Sequence, residues 1–214
     1  MNVKRISAME IFLWFFAFIL FLLVASPFVL GFKIKNDYPV VLAELSDLVQ
    51  ADIQIASYER GFFSSNVVLD IGLNGVPFKF QLKENIIHGP IYLGLINQGK
   101  LPFVAAVATG ELLSPAELST QVNQLFPGKS ALLYQNVIDF SGAVISEGYI
   151  PAIDTKIKTN VGEIQVHSSG VTLVSKYSSQ TGMLSGDISL PDFSLSAEAE
   201  IDRKSPRLNT SNLG

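Results

Sequence analysis

The 214-residue chain carries 15 Lys and Arg against 19 Asp and Glu, a net charge of −4, and is 48% hydrophobic but only 16% charged. An acidic balance without a basic patch interleaved with aromatics argues against a nucleic-acid partner. The absence of cysteine excludes disulfide scaffolds, thiolate zinc sites and cysteine nucleophiles, and leaves the redox compartment undetermined.

From Ile11 to Leu30 the chain reads IFLWFFAFILFLLVASPFVL, without a charge. A helix of about 20 residues spans about 30 Å, the thickness of a hydrocarbon core. A cleavable signal peptide shares the basic start at Lys4 and Arg5, but its apolar core is shorter, and the small pair Ala25-Ser26 is followed by Pro27, a poor cleavage context. The segment is therefore expected to be an uncleaved anchor, with the lipid bilayer as its partner through residues 11–30. Lys4 and Arg5 favour a cytoplasmic N-terminus, although Lys33 and Lys35 on the other flank dilute the asymmetry.

The expected division is a cytoplasmic N-terminus (residues 1–8), a transmembrane helix (9–32), a juxtamembrane joint and short helix (33–52), a β-rich domain outside the cytoplasm (53–202) and a disordered tail (203–214). In the third of these, Gly31 to Tyr38 reads as the joint and Pro39 as the first turn of a new helix carrying Val40, Val41, Leu42, Leu45, Leu48 and Val49.

Val67, Leu69, Ile71 and Leu73 recur at every second position, as do Val76, Phe78, Phe80 and Leu82. Asn74-Gly75 between them predicts a two-residue type I′ hairpin with Leu73 facing Val76, Ile71 facing Phe78, Leu69 facing Phe80, Val67 facing Leu82, and Asp70 opposite Lys79. A second helix is signalled by Ser114-Pro115-Ala116-Glu117, a capping box, and stopped by Pro127-Gly128. Strands are expected to flank it, at Phe103 to Leu112 and Ala131 to Phe140. Further alternation runs through Ile153 to Val161, Ile164 to Val166, Val171 to Leu173 and Phe193 to Ile201. The fold class is α+β, dominated by β: an N-terminal transmembrane helix, then an extended antiparallel sheet with two short helices.

Catalytic signals are sparse. Ser-His-Asp chemistry has only His88 and His167 to draw on, and no Gly-x-Ser-x-Gly elbow accompanies them. His88 precedes Gly89-Pro90 and reads as a strand-ending turn; His167 reads as a turn residue. Pro127-Gly128-Lys129-Ser130 imitates the end of a phosphate loop, but Asn123 stands where its first glycine is required. No metal-ligand spacing or cofactor motif occurs, so no cofactor, metal or catalytic residue is assigned. The stretch Tyr58-Glu59-Arg60-Gly61-Phe62-Phe63-Ser64-Ser65 is more distinctive; it reads as an irregular strand entry with Gly61 as a bulge.

Tyr58-x-Arg60-Gly61-Phe62-Phe63-Ser64-Ser65, followed by His88-Gly89-Pro90, resembles the YdgA-like family of bacterial proteins, as do the N-terminal anchor and glycine-spaced strands. The resemblance implies a Gram-negative inner-membrane protein with a periplasmic domain of unknown role and brings no catalytic residues with it. Members are usually longer, so a shortened copy is expected. The residues of interest are Tyr58, Arg60, Gly61, Phe62, Ser64, His88, Gly89 and Pro90. The expected function is a non-enzymatic envelope protein that scaffolds or binds an envelope partner, or an apolar ligand such as lipid in a groove. The alternative is an anchored hydrolase using Ser64 or Ser65 with His88.

Overall fold

The computed structural model describes residues 8–159, 162–178 and 180–199. The expected cytoplasmic start at residues 1–7, Val161, Ile201 and the tail 203–214 lie outside the described residues.

The chain opens with α1, Ala8–Val49, a 42-residue helix that contains both Pro27 and Pro39. The joint expected between Gly31 and Tyr38 is helical, and Pro39 lies inside the helix rather than starting one. Packing supplies the reason. Pro27, Gly31, Ile34, Tyr38 and Leu42 recur at intervals of three and four, and this stripe turns inward while its flanks stay exposed. Lys33 and Asp37 pair at 3.0 Å on the outer side, one turn apart. Upstream, from Met9 to Val24, the large apolar side chains are exposed.

After α1, Gln50 turns the chain at a φ of 53°. Eight strands then form one antiparallel sheet in the order β1-β2-β3-β4-β5-β6-β9-β10, and β11-β8-β7 form a second, three-stranded sheet. The strands are β1 Ala51–Arg60, β2 Ser64–Leu73, β3 Lys79–His88, β4 Ala106–Leu113, β5 Leu133–Ile138 and β6 Val144–Ile150, followed by β7 Ile153–Thr159, β8 Gly162–Ser168, β9 Val171–Ser178, β10 Met183–Ser189 and β11 Phe193–Ala199. The expected α+β architecture, an apolar N-terminal helix followed by a large antiparallel sheet, is present.

The β2–β3 register differs from the expected one by two residues: Ile71 faces Phe80, Leu69 faces Leu82, Val67 faces Glu84, and Asp70 faces Gln81 rather than Lys79. The Val76 N–H donates to the Leu73 carbonyl at 3.1 Å and Gly75 sits at a φ of 81°, whereas Asn74 has no positive φ. That is the pattern of a type II turn, not type I′. Pro77 has no N–H to give to a ladder, so pairing resumes only at Lys79. A shift of two keeps every side chain on its face, and the apolar residues still gather on one side. Glu84, already on that side, is brought opposite Val67 by the shift.

A bulge between Ile55 and Ser57 resets β1. Ile53 and Ile55 pair with Ile71 and Leu69, and beyond the extra residue Tyr58 and Arg60 pair with Val67 and Ser65. Without it Tyr58 and Arg60 would point to the opposite face. The bulge thus lies upstream of Gly61, whose N–H instead closes a turn on the Ser64 carbonyl at 2.7 Å.

The core under α1 joins Leu42 to Val67, Leu69, Ile86, Ala106 and Ala108, with Ile34 and Tyr38 packed against it. On the opposite face a 3₁₀ segment, Leu93–Gln98, buries Leu95 against Val104 and Val107. The second helix is shorter than expected: a 3₁₀ turn at Ala116–Leu118 leads into α2, Ser119–Leu125. Neither piece has a side-chain cap, so the Ser114–Glu117 capping box does not form; Ser119 bonds the Ala116 carbonyl at 2.8 Å instead. His167 lies within β8 rather than in a turn, 3.3 Å from Asp192.

Candidate functional site at the seam between helix and sheet

The helix descends one face of the sheet and β1 returns along it. From Phe28 to Val49 α1 rises about 30 Å, and ten strand residues span about 33 Å. Arg60, at the end of β1, therefore comes back to the level of Phe28 and Phe32, where the apolar segment leaves the sheet. Its Cζ lies 3.9 Å from the centre of the Phe32 ring and 4.8 Å from that of Phe28. Stacking of this kind contributes about 0.5–2 kcal/mol, more as water is excluded. The Arg60 Nη1 is buried and has no hydrogen-bond partner among the described residues. Phe62 packs on Phe28 with ring centres 5.4 Å apart.

The next row holds His88, 2% exposed, and Ser65, 0% exposed. Ser65 Oγ and His88 Nε2 are 2.9 Å apart, and His88 Nδ1 is 3.2 Å from the Phe62 carbonyl. A carbonyl only accepts, so Nδ1 carries the proton and Nε2 accepts from the Ser65 hydroxyl. Burial holds the imidazole below the usual histidine range; the Phe62 carbonyl opposes that shift and the Arg60 charge reinforces it. The ring lies directly against Gly31 of α1, where a Cβ would stand 2.5 Å from its Cε1 and Nδ1.

Two turns further along α1, the Tyr38 and Tyr134 hydroxyls donate to the two carboxylate oxygens of Glu84, which is 5% exposed. The sheet register sets this up: Glu84 faces Gly110, and Gly110 faces Tyr134. With no side chain at Gly110, the Tyr134 ring lies across that position to reach Glu84; a Cβ there would overlap the ring. Burial and the Glu84 charge both push the Tyr134 phenol up, so it stays a donor. Tyr58 meets Tyr38 edge-on with ring centres 6.0 Å apart, and among the described residues its buried hydroxyl has no hydrogen-bond partner.

The residues singled out in the sequence thus cluster at one end of the sheet. Tyr58 and Arg60 face α1, Gly61 and Phe62 make the adjoining turn, and His88 leads into a cis Gly89-Pro90 bond with the Gly89 N–H on the Ala105 carbonyl at 2.8 Å. Ser64 does not meet the imidazole; Ser65 does. The sequence pattern assigns no site role to Glu84, Tyr134 or Gly110, and Gly31 and Tyr38 figure in it only as the bounds of the expected joint. A signal existed for Glu84, which continues the inward phase of Phe80 and Leu82 toward Ile86 and His88. Among the described residues, no group of three or more His, Asp or Glu is placed to hold a metal.

The serine–histidine pair has the tautomer a general base requires, but α1 seals it. The carboxylate–phenol cluster likewise has all its charge-assisted bonds satisfied internally. Chemically, both join the helix to the sheet. Residues 9–211 match a bacterial protein family of unknown function, DUF945. The chain belongs to this family. No curated protein and no solved structure matches it.

Proposed function

We propose that this DUF945 member is a single-pass envelope protein that holds a non-catalytic β-rich scaffold rigidly against a membrane. One observation carries the reading: a single unbroken helix has an apolar, exposed first half and a second half docked into the core of the sheet. Only α1 is long and apolar enough to cross a membrane among the described residues. The sheet face expected either to close or to form a groove is occupied by Ile34, Tyr38 and Leu42, which favours a scaffold over a lipid-handling cleft. The surface offered for binding is the other end of the sheet, where β10 leaves Leu184 and Ile188 exposed. The YdgA-like resemblance and the basic pair Lys4 and Arg5 support an inner-membrane location with the N-terminus cytoplasmic and the main domain periplasmic.

The absence of cysteine makes the test clean. Full-length protein is expected in the membrane pellet after alkaline carbonate washing. A cysteine at Lys129 should react with an impermeant maleimide once the outer membrane is permeabilised, and one at Asn2 only after lysis. The reverse labelling pattern overturns the orientation, and release by carbonate overturns the anchor.

A further inference from the structure

We infer that the end of the sheet from which the anchor emerges is itself a lipid-binding surface, its loops inserting apolar side chains into the leaflet that α1 enters. This rests on the anchor reading but adds a contact that the helix alone does not make.

The topology collects the loops. Arg60, the last residue of β1, pairs with Ser65; Ser64, the first of β2, pairs with Ile87; and His88, the last of β3, pairs with Ala106, the first of β4, so the connections 61–63 and 89–105 leave the same end of the strands. The His88 N–H donates to the Phe63 carbonyl at 2.8 Å, which ties the two connections together. The level of this end along α1 is set by Phe28, in contact with Phe62 and still within the uncharged run Ile11–Leu30. Arg60, stacked on Phe28 and Phe32, marks how deep the end can sit, because a guanidinium belongs no deeper than the headgroups.

The two connections present what an interface takes. Phe62 and Phe63 are 44% and 59% exposed, Leu93 and Ile96 68% and 54%, and Leu101 and Phe103 81% and 61%. Lys100 is the sole charged residue from Gly89 to Ala105, and its ammonium is drawn away to Glu147 at 2.6 Å. The 3₁₀ segment is two-sided: Leu95 is buried in the core, and Leu93 and Ile96 point outward. An exposed apolar patch of this kind needs a cover, and continuity with the apolar span makes the cover lipid. Side chains so placed reach about 5–10 Å into the boundary between headgroups and acyl chains.

The test uses Trp14, the one tryptophan of the chain, as its control. Full-length protein is reconstituted in phosphatidylethanolamine–phosphatidylglycerol vesicles with and without acyl-brominated lipid. In wild type, quenching of Trp14 reports insertion of the anchor. In a Trp14→Phe background, Phe63→Trp and Leu101→Trp are expected to be blue-shifted and to lose roughly half their emission or more to the bromines, as expected for rings at the acyl boundary. Val76→Trp, at the opposite end of the sheet, should be unaffected. If Trp14 is quenched while Phe63→Trp and Leu101→Trp are not, the anchor stands and the lipid-binding surface is refuted, including the case in which another protein covers it. If Trp14 itself escapes quenching, the anchor reading fails and takes this inference with it.

Discussion

The imidazole of His88 occupies the space a side chain at Gly31 would need: a Cβ there would stand 2.5 Å from two atoms of the ring. Gly31 thus lets α1 and the sheet approach closely, and it does its work by having nothing to offer. Gly31→Val is expected to push the helix off His88 and destabilise the domain by about 1–3 kcal/mol, the usual range for overpacking. Thermal unfolding of the detergent-solubilised protein should drop by several degrees, at roughly 2–4 °C per kcal/mol for a domain of this size. An unchanged midpoint would show that the contact is not tight.

His88 also makes stability depend on pH. Its folded-state pKa lies below that of the unfolded chain, about 6.5. As pH falls through that value the unfolded state takes up the proton first. The contribution is therefore complete above about pH 6.5, declines through the window between that and the folded-state value, and levels off beneath it. Unfolding midpoints should fall from pH 7.5 toward pH 5. In His88→Asn, which has no titrating group, the slope across this window should be shallower.

Glu84 ties three elements together, so its substitutions should rank by how many phenols they leave unpaired. Glu84→Leu strands the Tyr38 and Tyr134 hydroxyls in the interior, at about 1–3 kcal/mol each. Glu84→Gln keeps an acceptor for one phenol and should cost less. Glu84→Leu combined with Tyr38→Phe and Tyr134→Phe removes the stranded donors and should recover part of the loss. Chemical denaturation of the four proteins tests the order, and a triple variant no better than Glu84→Leu would contradict it.

Ser65 is hydrogen-bonded as a nucleophile would be, yet has no accessible surface. A fluorophosphonate probe is expected to leave Ser65 unmodified in the folded protein, and Ser65→Ala to lower stability by about 1 kcal/mol through the loss of one buried hydrogen bond. Stoichiometric labelling of Ser65, abolished in His88→Asn, would instead establish the hydrolase alternative.

The apolar helix and the antiparallel sheet were legible because their signals are local: an uncharged run of bilayer length, and alternation of period two. What escaped was set by cross-strand geometry. Asn74-Gly75 promised one turn type, and Pro77, three residues on, forced another register that no pairwise alternation reveals. The stripe Pro27, Gly31, Ile34, Tyr38 and Leu42 hid because one of its members has no side chain, one is a proline and one carries a hydroxyl, so the face looked like a joint. The motif around Tyr58 and Arg60 was visible as a string. Its direction was not, because a bulge at Ile55–Ser57 decides which way those side chains point. Neither Gly110 nor Tyr134 means anything alone; their relation to Glu84 exists only once three strands are laid side by side.

The unbroken course of α1 has a mechanical consequence. On the proposed anchor reading, a tether with a joint would let its cargo wander over a hemisphere, whereas a helix fused to the core would make the tilt of the span the tilt of the whole sheet. The docked half, from Gly31 to Val49, rises about 28 Å, so with α1 as the anchor the turn at Asn74-Gly75 and α2 would stand at that fixed distance from the lipid. A protein meeting that far edge would encounter it at one altitude and one orientation, set by the length of a helix rather than by the reach of a linker.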